Sequence, residues 1–215
     1  MKKFLETLES LDARDTLFAS TDKLVFLLSG QSDYVHSELS NAQKTLLAAF
    51  KPFGYACVET GFPFNRLHDF HGCARSGLLR ASIRNLQQFA ALRFSGHYRA
   101  LVARHLQPAF TASRDIFVVC QSAGLEMLTA ALPMLAIGAE SSVSVLALGP
   151  VASRRFGDRR IRLCVVKGRH DWLSRLLDRN AVTFETPCGH MDYCSCPETL
   201  ELIPTIVSCA SRLTS

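Results

Sequence analysis

Apolar residues along this chain fall into two kinds of run. The first is short and continuous: residues 23–29 (KLVFLLS), 116–120, 142–148 and 161–166, each ending close to a glycine or a tight turn. Runs of that length predict strands buried on both faces. Residues 55–59 and 181–185 predict two further strands. The second kind repeats at helical spacing. Leu39, Ala42, Leu46, Leu47 and Phe50 share a face within 38–50, and Leu125, Leu128 and Leu132 do so within 123–137, where Pro133 predicts a kink. Residues 74–106 predict helix, broken near Ser95-Gly96 and closed by Pro108. A brief helix is predicted over 172–178, and a terminal one from a first-turn Pro197 through 213. Residues 1–20 read as a polar lead-in.

Strands that alternate with helices imply an α/β fold: a mostly parallel sheet of about six strands with helices on both faces. At 215 residues the chain is expected to be one domain (1–215), with a core of ordinary size. Reactive loops in such sheets lie beyond the carboxyl ends of the strands.

Composition narrows the class. Hydrophobic residues at 48% and charged residues at 20% suit a globular protein and not a disordered one. The first twenty residues carry Glu6, Glu9, Asp12 and Asp15 and no apolar run, so no secretory leader is expected there. No stretch reaches the apolar length of a membrane span. The eight cysteines are therefore expected as reduced thiols in the cytoplasm. The net charge of +5 is uneven: residues 70–113 hold six arginines and no acid. Such a segment reads either as a solvated helical face or as a dock for an acidic partner. No nucleic-acid partner is expected.

Chemistry centres on Phe117-Val118-Val119-Cys120-Gln121-Ser122-Ala123-Gly124-Leu125, where a buried strand turns directly into a helix. A residue on so sharp a bend projects clear of the sheet, and backbone N–H groups at the helix start face any negative charge forming beside it. The flanking positions must be small, and here they are Cys120 and Gly124. A serine hydroxyl needs a base to take its proton and a carboxylate to orient that base. Gly168-Arg169-His170-Asp171 follows one later strand and Cys188-Gly189-His190 follows the last.

This set resembles the nucleophile elbow and triad of the α/β-hydrolase superfamily, in the chain order serine, acid, histidine. The likeness spans about residues 23–213, with Cys120 in place of the first glycine of G-x-S-x-G. It implies a minimal α/β-hydrolase fold lacking the first strands, with no lid in the short 149–160 connection. It also implies Ser122 as nucleophile, His190 as base and Asp171 as orienting acid, with an oxyanion hole from the N–H groups of Ala123 and Gln31. The implied activity is hydrolysis of a carboxylic ester or thioester without a cofactor, on a small acyl substrate or one carried by CoA or an acidic acyl carrier protein. Acyl transfer by the same triad, or a non-catalytic binding module on this fold, are the alternatives.

Other residues compete for roles. Asp192 lies outside the expected acid turn, Asp33 suits a helix cap and His170 a loop surface. Phe62, Phe64, Trp172 and Met191 flank the expected site loops and are candidates to line an acyl pocket, as is Tyr193. Cys188, His190, Cys194 and Cys196, with His68, His71 and Cys73 upstream, raise a zinc site. Their spacing departs from common zinc patterns, and ligation would remove the base, so no metal is expected.

Overall fold

In strand β1 (Lys23–Ser29), Leu24, Phe26 and Leu28 point to one side and Val25 and Leu27 to the other, each at most 1% exposed. Strand geometry sends alternate side chains to opposite faces, so a run apolar at every position fits only a strand covered on both. β3 (Asp115–Gln121) and β4 (Ser142–Leu148) repeat the pattern. The computed structural model describes residues 1–30, 34–68 and 78–211, excluding the side chains of 78–83 and 211.

With β2 (Ala56–Val58), β5 (Arg162–Gly168) and β6 (Phe184–Thr186), these form one six-stranded sheet in the order β2-β1-β3-β4-β5-β6, parallel throughout. The α/β class expected from the sequence is the one observed. The chain runs outward from β1 to β2, returns across β1 to β3, and then proceeds outward the other way. That reversal falls between β1 and β3, and open α/β sheets place ligands beyond the carboxyl ends of the strands at such a point.

One face of the sheet is covered by α1 (Lys2–Ser10), α3 (Leu78–Phe94), α4 (Gly96–Ala112) and α5 (Gly124–Ala131). The other face is covered by α2 (Asn41–Ala48) and α8 (Ile203–Ser211), with α6 (Trp172–Leu177) and α7 (Pro197–Glu201) as short connections. Each fully buried Leu, Ile, Val or Phe contributes about 1.5–3 kcal/mol, so the two faces dominate stability.

Several boundaries differ from those the sequence predicts. Pro108 does not close the arginine-rich segment: α4 continues to Ala112 because Ala109 and Phe110 are buried in the core. The break before α4 falls at Ser95, whose Oγ accepts from the Tyr98 N–H. Pro133 ends α5 instead of kinking it, and the chain tightens into a 3-10 turn at Leu132–Met134. The terminal helix divides at Leu202, just before Pro204, which has no N–H to continue the ladder. Residues 1–20 begin with a true helix, its Phe4 and Leu8 buried.

The arginine-rich segment is partly structural. Arg104 donates to the carbonyls of Leu8 and Leu11 at the end of α1. Arg99 donates to those of Leu92 and Arg93 at the end of α3. Helix ends leave carbonyls unpaired and carry partial negative charge, so guanidinium groups suit them. Arg84 stacks 5.3 Å from the centre of the Tyr34 ring. No helix among the described residues is long and apolar enough to cross a membrane.

Candidate active site

Ser122 stands directly after β3 with φ at 53°, in the left-handed region that side chains rarely enter. Holding a non-glycine residue there costs on the order of 1–3 kcal/mol, so the surroundings must enforce it. They do so with the Ser122 N–H donating to Leu148 O at 3.1 Å and the Val151 N–H donating to Ser122 O at 3.0 Å. Gly124 is needed because the start of α5 crosses the end of β1: a Cβ there would fall 1.9 Å from Leu28 O. Cys120 fits the other small position because its side chain faces the core and is fully buried, which also pushes its thiol pKa up.

Three side chains meet at the carboxyl rim. Ser122 Oγ lies 3.0 Å from His190 Nε2, and His190 Nδ1 lies 3.0 Å from both carboxylate oxygens of Asp171. Asp171 is 1% exposed, and its Oδ1 also accepts from the Ser174 N–H, making it the N-cap of α6. Burial by itself would raise this carboxyl. Hydrogen bonds from His190, Tyr193 and Ser174 outweigh burial and hold its pKa well below the usual carboxylate range. An ionised Asp171 only accepts, so the proton of His190 sits on Nδ1. That tautomer leaves the Nε2 lone pair facing the serine hydroxyl.

Tyr193 completes the acid's surroundings. Its hydroxyl donates to Asp171 Oδ2 at 2.6 Å and accepts from the Gly168 N–H at 2.6 Å, and the side chain is wholly buried. Burial and the neighbouring carboxylate raise its pKa, so it remains a donor. Gly149, with φ at 50°, makes room for this pair: a Cβ there would lie 2.3 Å from the Tyr193 ring and 2.7 Å from Asp171 Oδ2. Further out, Lys167 and Asp178 form a buried ion pair at 2.9 Å that ties the end of α6 to β5. Glu126 accepts from the N–H and hydroxyl of Ser153, fixing the loop after β4 to α5.

The remaining candidates separate. Ala123 is the N-cap of α5, with no side-chain cap, beside Ser122. Gln31, the other expected oxyanion donor, lies outside the described residues, as do Asp33, His71 and Cys73. Phe62 and Phe64 are buried in the core cluster on the α4–α5 side of the sheet. They are 2% and 1% exposed: Phe62 meets His105 edge-on, and Phe64 meets Phe26 edge-on and Phe18 at a tilt, beneath β1. Trp172 and Met191, directly after the acid and the histidine, are 72% and 71% exposed and stand at the surface. His170 and Asp192 are exposed. Among the described residues no group of three or more His, Cys, Asp and Glu is placed to hold a metal. Sequence reasoning gave Tyr193 a pocket role. Its position three residues after His190 carries no signal that its hydroxyl turns back to the acid.

No protein-family model and no curated protein matches the sequence. Among solved structures, the chain is similar to dienelactone hydrolase from Anabaena variabilis at 13% identity and TM-score 0.47, covering 87% of this chain and 84% of that one. It is similar to a serine hydrolase without a lid from Xanthomonas campestris at 11% identity and TM-score 0.43, covering 91% and 84%. Est1E from Butyrivibrio proteoclasticus, solved with ferulic acid bound, is similar at 12% identity and TM-score 0.42, covering 92% and 90%. These likenesses are distant, and the chemistry below rests on the chain's own geometry.

Proposed function

We propose that this α/β protein is a serine hydrolase cleaving a carboxylic ester or thioester through an acyl-enzyme. The observation that carries the reading is the unbroken relay from Ser122 Oγ through His190 to Asp171, both links at 3.0 Å. As the Ser122 oxygen attacks the acyl carbon, His190 Nε2 takes its proton and Asp171 stabilises the resulting imidazolium. The carbonyl pair moves onto oxygen, beside the start of α5 where the Ala123 N–H is the first donor. Collapse expels the leaving oxygen or sulfur, which receives the proton from His190. A water then gives a proton to the same nitrogen as it attacks the acyl carbon; the bond to Ser122 Oγ breaks, His190 returns the proton to that oxygen, and the acid leaves.

Nothing in this relay needs a cofactor. The substrate class is an acyl group with an uncharged reacting carbonyl, and the exposed Trp172 and Met191 put apolar surface beside the acid and base. Covalent labelling tests the reading: a fluorophosphonate should add one phosphonyl group at Ser122, located by peptide mass. Labelling elsewhere, or none, removes the reading.

A further inference from the structure

Asn85 on α3 has a buried amide oxygen with no hydrogen-bond partner among the described residues. Buried amide ends are nearly always paired, so an unpaired one marks a carboxamide open to a partner from outside the chain, in whichever of its two orientations suits that partner. Its place identifies that partner. A Cβ built on Gly30 would lie 3.0 Å from Asn85 Oδ1 and 3.2 Å from the Ala123 Cβ. Gly30 directly follows β1 and Ala123 directly follows Ser122, so the amide reaches the gap between the two loops. Gly30 leaves that gap open because it has no side chain of its own.

We propose that the Asn85 carboxamide is a catalytic side-chain donor of the oxyanion hole, an inference that rests on the serine-hydrolase reading above. A half-turn about its Cβ–Cγ bond exchanges oxygen for Nδ2, which carries two hydrogens. When Ser122 bonds to the acyl carbon and the carbonyl pair moves onto oxygen, Nδ2–H donates to that oxygen alongside the Ala123 N–H.

The test compares wild type, Asn85→Ala and Asn85→Asp on a short-chain p-nitrophenyl ester, with phosphonate labelling and thermal unfolding of each. Asn85→Ala should lower kcat about 10²-fold with KM nearly unchanged, because the lost contact exists only in the transition state. Asn85→Asp keeps the shape and serves if the alanine variant folds poorly. Its activity relative to wild type should fall as pH rises through the carboxylate range, since the ionised group repels the oxyanion. A structural role would leave that ratio flat. Wild-type kcat in Asn85→Ala, or a flat ratio in Asn85→Asp, overturns this proposal alone when wild type labels at Ser122. Absence of labelling in wild type overturns it together with the reading beneath it.

Discussion

The Tyr193 hydroxyl donates to Asp171 Oδ2 at 2.6 Å, and its own oxygen accepts from the Gly168 N–H at 2.6 Å. The acid of the relay is therefore held from three directions: by the tyrosine, by the Ser174 N–H and by the imidazole it orients. Tyr193→Phe should destabilise the fold by about 2–3 kcal/mol, since it removes a charge-assisted bond and leaves the Gly168 N–H buried and unpaired. kcat should fall more than KM rises, because the imidazolium loses part of its counter-charge. Urea unfolding and steady-state kinetics on the same variant check both halves.

The depressed pKa of Asp171 fixes the sign of a pH effect. A carboxyl that ionises more easily when folded adds stability above its unfolded value, near 3.8, and loses it as pH falls toward the lower folded value. Wild type should therefore exceed Asp171→Asn in stability by a constant margin from neutral pH down to about pH 5, with the margin shrinking below that. Thermal unfolding of the pair between pH 3 and 7 measures it. A margin that grows on acidification would mean the carboxyl is not held ionised.

Glycines in this chain make a graded test of the elbow. A Cβ at Gly124 meets Leu28 O at 1.9 Å, whereas one at Gly157 meets nothing within 4 Å. Gly124→Ala should push α5 away from β1, costing about 1–3 kcal/mol or more and most of the activity. Gly157→Ala should change neither. Circular dichroism melts beside ester turnover distinguish them.

Much of this arrangement was legible in the sequence, for physical reasons. Residues 23–29 and 142–148 coincide with β1 and β4 because strands buried on both faces read as nearly continuous apolar runs, broken within these two only by Ser144. Asp171 and His190 were findable because each follows a strand end that parallel sheets bring to one rim. Phe62 and Phe64 show the limit of such a reading: nearness to a site loop in sequence says nothing about direction, and both are buried. Tyr193 and Pro108 share another cause. Their roles depend on tertiary neighbours far away in the chain, which no local pattern encodes.

The unbalanced arginines carry a prediction about substrate form. Arg99 and Arg104 are engaged by helix carbonyls, and Arg84 lies against the Tyr34 ring. Charge reversal at Arg80 and Arg84 should raise KM for a carrier-linked acyl group far more than for a free ester. Equal effects on both would remove the carrier from consideration.

The spatial meeting of the hydroxyl at 122 with the imidazole at 190 is tested most directly by ester turnover in purified Ser122→Ala. With the fold intact by circular dichroism, kcat on a short-chain p-nitrophenyl ester should drop by at least about 10⁴-fold, toward the uncatalysed rate. Turnover retained near the wild-type level would contradict the serine-hydrolase mechanism outright.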